Sequence, residues 1–208
     1  MGEFSFSTSM GGVPQKAMDK LSFRAKNYLF QPGQYVHRSG DTAELLYYVQ
    51  EGKIRINSVS EAGKELTVKD LLKGEWFGLI GCFGKQMRPN DAIALESTSL
   101  VVIRKNDFID VANQHPEIWQ WVTAVLARYV DSYYSRLLSN SFDTLLVRTE
   151  SMLKQLSIWQ GSNELQISQS ELANLLGVTK EAVGIQLNYL KKQNKVSLSY
   201  KSVLLLKK

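Results

Sequence analysis

"SQSELANLLGVTKEAVGIQLNYLKK", residues 168–192, decides how this chain is read. Two short amphipathic patterns meet at a glycine, and the second ends in lysines. Ser168 followed by Glu171 has the spacing of a capping box, so a helix is expected from residue 169. Leu172, Leu175 and Leu176 form its inner face, and Ala173 is small where two helices must approach. Gly177 suits the left-handed position that ends a helix. Thr179 then caps a second helix over 180–192. In that helix Val183, Leu187 and Leu190 turn inward, leaving Lys180, Glu181, Gly184, Ile185, Gln186 and Asn188 outside. Two short helices joined by a three- or four-residue turn make a helix-turn-helix. KVSLSYKSVLLLKK (195–208) follows and reads as strand, tight turn at 200–202, strand: a hairpin wing. A module of this kind sets its second helix into a DNA major groove.

Charge supports that reading. Residues 169–208 hold seven lysines against two glutamates, a surplus of five that equals the net charge of the whole chain. The first 168 residues balance, 18 basic against 18 acidic. A basic end on a neutral body is an electrostatic footprint for a polyanion. On this basis Ser168, Gln169, Thr179 and Lys201 are assigned to phosphate contacts. Lys180, Glu181, Ile185 and Gln186 are assigned to base edges.

The 208 residues suffice for one large domain or two ordinary ones, and 44% hydrophobic content predicts a packed core. One cysteine, Cys82, excludes an internal disulfide framework and a multi-cysteine metal or iron–sulfur site within one chain. No apolar run reaches membrane-spanning length, and MGEFSFSTSMGGV lacks the basic start and apolar block of a signal peptide. A cytoplasmic protein without membrane contact is expected.

Residues 14–29 are expected to form a helix opened by Pro14. From 30 to about 105 the pattern becomes short runs rich in Val, Ile, Tyr and Leu between glycines. LYYVQEGKIRIN (46–57) reads as strand, turn at Glu51-Gly52, strand. SEAGKELTV (60–68) repeats it with a turn at Ala62-Gly63, and AIALE (92–96) and SLVVIR (99–104) add two more strands. Such spacing argues a closed or double-sheet β structure. The period changes again in HPEIWQWVTAVLARYVDSYYSRLLSNS (115–141), where a helix over 116–139 is apolar on most of its circumference. Such a helix is covered on more than one side. An identical helix in a homodimer supplies the second cover, with Trp119, Val122, Leu126, Tyr129 and Tyr133 as the expected seam. A break is expected at SNS (139–141), followed by a helix over 142–159 and a loop at 160–163.

These pieces, in this order, resemble the cyclic-AMP receptor / fumarate-nitrate regulator (Crp/Fnr) family over nearly the whole length. "PGQYVHRSGD", "LYYVQEGKIRI", "EAGKELTV" and "GEWFG" resemble the glycine-punctuated cyclic-nucleotide-binding β-roll. The long helix resembles the family's dimerisation helix, and "GVTKEAVG" its turn and recognition helix. The resemblance implies an α+β chain: a β-roll (double-stranded β-helix) sensor domain at 1–114, a dimerisation helix and hinge at 115–140, and a winged helix-turn-helix at 141–208. It implies a homodimeric transcription factor on a palindromic site, with RNA polymerase as a partner.

The chain departs from the family where the effector binds. The family has Gly-Glu-Leu after the aromatic, with the glutamate on the ribose; here Gly78 is followed by Leu79 and Ile80. The family places an arginine and a Ser or Thr before an alanine; here Asn90 and Asp91 precede Ala92. A carboxylate repels a cyclic phosphate and two charge-assisted hydrogen bonds are lost, so cyclic AMP is disfavoured. Arg88 is near but needs an altered loop to help. The expected effector pocket is Gly78, Leu79, Ile80, Arg88, Asn90 and Asp91, and the effector is unknown. Haem would need His37, His115 or Cys82 as axial ligand. The recognition helix departs too, with Ile185 where the family has a guanine-reading arginine, so an unusual half-site is expected.

A cupin-like enzyme is the rival class, since cupins share a β-roll scaffold. Two histidines far apart, without an H-x-H pattern, argue against it. No Ser–His–Asp set, P-loop or dinucleotide turn stands out, so no catalytic residue and no metal site is assigned. A pure ligand-buffering module is a third class, opposed by the winged helix.

Overall fold

The computed structural model describes Phe6 and residues 10–206; Lys207 and Lys208 of the basic tail lie outside the described residues. The described chain divides into two compact units. One holds the residues up to Ala62 together with Val68–Asp131; the other holds Gly63–Thr67 and the residues from Ser132 onward.

The first unit opens with α1 (Gln15–Arg24) and continues as strands β1 (Lys26–Phe30), β2 (Tyr35–His37), β3 (Leu45–Glu51), β4 (Ile54–Val59), β5 (Glu65–Leu71) and β6 (Trp76–Phe77). After α2 (Leu79–Phe83) come β7 (Asp91–Ala94) and β8 (Thr98–Arg104), then α3 (Lys105–Gln114) and α4 (Glu117–Phe142), with the start of β5 to Thr67 and α4 from Ser132 counted in the second unit. Two four-stranded sheets form, in the orders β1-β8-β3-β6 and β2-β7-β4-β5. The pairings β1–β8, β3–β8, β3–β6, β2–β7 and β4–β7 are antiparallel. Strand β3 is buried on both faces and carries the period-two logic of a strand. Tyr47 and Val49 join an inner cluster with Ile54, Phe77, Leu100 and Val102. Leu46 and Tyr48 join an outer cluster built from α1, α3 and the first half of α4. The α+β class with a β-sheet body is the one expected from the sequence.

Three boundaries differ from expectation. The helix expected over 14–29 stops at Arg24, because residues 26–30 pair with β8 from Lys26↔Val102 to Phe30↔Thr98. Helix α3 was not anticipated: it follows β8 without a turn and buries only Phe108, Val111 and Ala112. Helix α4 does not break at 139–141. None of those residues is Gly or Pro, and Ser141 Oγ donates back to Leu137 O at 2.9 Å, satisfying the hydroxyl within the helix.

The second unit contains α5 (Leu145–Gln160), β9 (Glu164–Gln166), α6 (Gln169–Leu176), α7 (Lys180–Lys192), β10 (Val196–Ser199) and β11 (Ser202–Leu205). Strands β10, β11 and β9 form one three-stranded sheet. Strand β9 follows the loop expected at 160–163 and is too short to carry a sequence pattern of its own. Leu153, Leu156, Leu172, Leu176, Val183, Leu187 and Leu190 form the core of this unit with Val196 and Val203 of the wing.

Candidate nucleic-acid interface and effector pocket

The opening stretch folds as its caps dictate. Ser168 Oγ accepts from Glu171 N at 3.1 Å, and Glu171 Oε2 accepts from Ser168 N at 2.8 Å, a complete capping box. Gly177 ends α6 at φ +68°, a left-handed geometry that glycine adopts without steric cost. Arg148 Nη2 donates to Leu176 O at 2.6 Å, placing a cation at the negative end of α6. Thr179 Oγ1 then accepts from Ala182 N at 3.2 Å and starts α7. Both cap hydroxyls act as acceptors toward the helix, so each keeps its hydrogen to donate outward.

Residues assigned to DNA from the sequence fall on one module. On α7, Lys180, Glu181 and Ile185 are exposed and Gln186 is half-buried. Gln169 is exposed and reaches α7: its Oε1 lies 3.4 Å from where a Cβ on Gly184 would stand. Lys201 forms the wing turn at φ +50°, with its Nζ 5.6 Å from the exposed Tyr200 ring. Asn188 and Tyr189, also exposed on α7, and Tyr200 extend this surface. Tyr189 and Tyr200 were not assigned; their signal was four-residue spacing from Ile185 and position at the turn.

Most residues of the expected seam make contacts within this chain. Trp119 donates its indole N–H to Asn113 Oδ1 and packs edge-on against Phe83 and Phe108. Val122 is buried in the outer cluster and Leu126 packs on it. Tyr129 donates to Trp76 O at 2.7 Å. Four of the five expected seam residues therefore serve the β body, and only Tyr133 is exposed. The open face lies one residue on, about 100° round the helix: Thr123, Ala127, Val130, Tyr134, Leu137 and Ser141, all exposed. Val130 is 65% exposed, and Tyr134 and Leu137 are each 60% exposed. Both stripes repeat at three- and four-residue steps, so periodicity could not choose between them; the larger aromatics went to the wider cluster.

The effector pocket is also rearranged. Leu79 packs into the outer cluster and Ile80 is exposed, so neither lines the inner side. Gly78 sits at φ +91°, and a Cβ there would come within 2.9 Å of both Leu45 O and Arg88 Nη1. Arg88, expected to need an altered loop, is inside. Residues 86–88 pair back onto 40–43 through Ala43 N→Gln86 O, Arg88 N→Asp41 O and Gly40 N→Arg88 O. That pairing delivers Arg88 at 3% exposure. Its guanidinium donates to Leu45 O at 2.7 Å and Gly78 O at 3.4 Å, and lies 5.2 Å from the Tyr47 ring centroid. Asp91 turns away and accepts from Ser39 N at 2.7 Å.

Sequence reasoning missed Tyr47 and the setting of His37. The His37 ring lies 5.9 Å from Tyr47 and 6.1 Å from Phe77. Burial first, and the Arg88 charge second, lower His37 to about 4; Asp41, Asp91 and a backbone hydrogen bond at Asn90 oppose them. Burial likewise pushes the Tyr47 phenol and the Cys82 thiol up, against the pull of Arg88. Among the described residues, Arg88 Nε and His37 Nδ1 are buried without a hydrogen-bond partner. The haem-ligand candidates do not converge on an open site: Cys82 Sγ donates to Leu45 O at 3.3 Å, and His115 lies beyond α3. No group of three metal-ligating side chains occurs among the described residues, and no described helix is long and apolar enough to cross a membrane.

Comparison with known proteins agrees with this architecture. The cyclic nucleotide-binding domain profile matches residues 29–115. The chain is 30% identical over 189 residues to the cyclic AMP receptor protein of Thermus thermophilus, covering 90% of this chain and 87% of that protein. It is 24% identical over 172 residues to the cAMP-activated global transcriptional regulator CRP of Haemophilus influenzae, covering 79% of this chain and 77% of that one. Among solved structures, the c-di-GMP responsive global regulator CLP of Xanthomonas campestris shares the fold with a TM-score of 0.84 at 21% identity, covering 94% of this chain and all (100%) of that chain. The catabolite activator protein of Thermus thermophilus aligns with a TM-score of 0.60 at 28% identity, covering 96% and 94%. The relatives named are regulators, not enzymes. With a cyclic-nucleotide-binding-like β body, a long helix and a capped helix-turn-helix in one order, this chain belongs to the Crp/Fnr family of DNA-binding transcriptional regulators.

Proposed function

We propose that the chain works in the cytoplasm as a homodimer that binds a palindromic DNA site and acts on transcription through RNA polymerase. The observation that carries this is α7: both ends of the turn before it are capped, its inner face is sealed, and its outer face is open beside a lysine-bearing wing. Residues after 140 serve DNA, residues before 115 serve sensing, and the helix between them joins two copies. The stripe Thr123–Ala127–Val130–Tyr134–Leu137–Ser141 has the three/four spacing of a coiled-coil seam. A two-fold dimer places two α7 helices in successive major grooves about 34–36 Å apart. Lys180, Glu181, Ile185 and Gln186 face bases, while the free O–H hydrogens of Ser168 and Thr179, with Gln169 and Lys201, hold phosphates.

The β-roll does not take cyclic AMP in the family's usual way. Arg88 is turned onto two backbone carbonyls, and Asp91, at the sequence position where the family has a phosphate donor, instead accepts from Ser39 N. A small polar ligand is the second reading, supported by the unpartnered Arg88 Nε and His37 Nδ1.

The test is selection of random duplexes by the full-length protein at two salt concentrations, with sedimentation velocity on the same sample. Enrichment of a palindrome with half-sites one helical turn apart is expected, from a dimer that Leu137→Lys turns into a monomer. Binding that is sequence-indifferent and steeply salt-dependent would remove the reading.

A further inference from the structure

Resting on the DNA-binding reading above, we propose that Ile185 reads a thymine in each half-site through its C5-methyl group. Ile185 is 65% exposed in the middle of α7. Its own chain gives it no structural task, because Val183, Leu187 and Leu190 seal the inner face. The ridge around it is polar and formed for a polyanion: Lys180 and Glu181 precede it, Asn188 and Lys192 follow, and two capped helix starts lie beside it. Apolar surface in that setting has one partner on the floor of a major groove. Guanine, adenine and cytosine offer only donors and acceptors there, whereas thymine offers a methyl. Isoleucine can neither donate nor accept a hydrogen bond, so it gains nothing at a purine edge. Branching at Cβ also fixes χ1 within a helix, so the side chain meets the methyl with little rotamer freedom left to lose. Glu181, one turn earlier on the same ridge, only accepts and so matches the N4 donor of cytosine. The half-site is thus read at neighbouring points by an acceptor and a methyl-sized apolar knob.

The experiment uses the full chain and its selected duplex. Each thymine is replaced symmetrically by deoxyuridine, which deletes the methyl and keeps base pairing, and affinity is measured by fluorescence anisotropy. At one position the wild type is expected to lose about fourfold per half-site, roughly 15-fold over both, as for one methyl-sized group returned to water. Ile185→Ala is expected to lose a similar factor on the thymine duplex and to be indifferent to the swap at that position. An unchanged melting temperature establishes that the variant is folded, and the uridine arm alters only the DNA. If a palindrome is selected but no thymine methyl matters more to the wild type than to Ile185→Ala, the inference is overturned and the DNA-binding reading stands. If no sequence is enriched at all, both fall together.

Discussion

Two side chains stand against the usual sorting of charge and oil, one in each compact unit. Arg88 is a cation 3% exposed inside the β body, and Ile185 is an aliphatic 65% exposed on α7. Burial of a cation costs free energy unless its donors are used, and Arg88 spends its Nη groups on two carbonyls. Exposure of one aliphatic costs almost nothing, because surfaces carry much apolar area anyway. The difference separates a residue the fold depends on from one the fold ignores. Arg88 is held by its surroundings and is part of the β body's integrity. Ile185 is free of them and answers only to a partner.

Substitutions can break or sharpen that contrast. Arg88→Ala is expected to cost about 3 kcal/mol, through the cavity left by a buried side chain and the loss of its hydrogen bonds to Leu45 O and Gly78 O. Urea unfolding followed by tryptophan fluorescence measures it, and a loss under about 1 kcal/mol would mean that the guanidinium is not structural. His37 comes next. Folded, it titrates at about 4 against an ordinary value of 6.5, so only the unfolded chain gains this proton as pH falls through 6.5. Stability should therefore be full above 6.5, fall by about 2–3 kcal/mol down to pH 4, and fall no further from this residue below that. The His37→Gln variant should flatten that slope, and a parallel profile would assign the titration elsewhere. Thr179→Ala should cost about 1 kcal/mol as a lost N-cap. Thr179→Asp should restore the cap yet weaken DNA binding, because a carboxylate repels phosphate; equal DNA affinity in both variants would remove Thr179 from the interface. Ile185→Arg should leave stability within about 0.5 kcal/mol while moving the selected base toward guanine, by about tenfold or more. Selection on random duplexes reads that change directly, and an unaltered consensus would place Ile185 outside base readout.

The caps were legible because they are local: Ser168, Glu171, Gly177 and Thr179 interact within four residues along the chain. The two strands around Gly52 and the turn at Gly63 were legible for the same reason. The seam was not. Two parallel stripes on α4 satisfy the same periodicity, and only the outer cluster decides which one is used up. Arg88 was misjudged because its position depends on residues 86–88 registering against 40–43, a pairing that sequence spacing does not encode. Tyr47 read as a strand residue, and nothing local says that an arginine from 41 positions later will lie beside it.

Cys82 gives the β body a clock. Its thiol is 1% exposed, pushed up by burial, and donated to Leu45 O, the carbonyl that Arg88 also holds. Thiolate is the reactive form, and reagents reach a buried thiol only when the structure opens. Because the sequence has one cysteine, the rate of alkylation counts openings at this spot without interference. Any molecule that settles beside Arg88 should announce itself by slowing or speeding that rate, before its chemical nature is known.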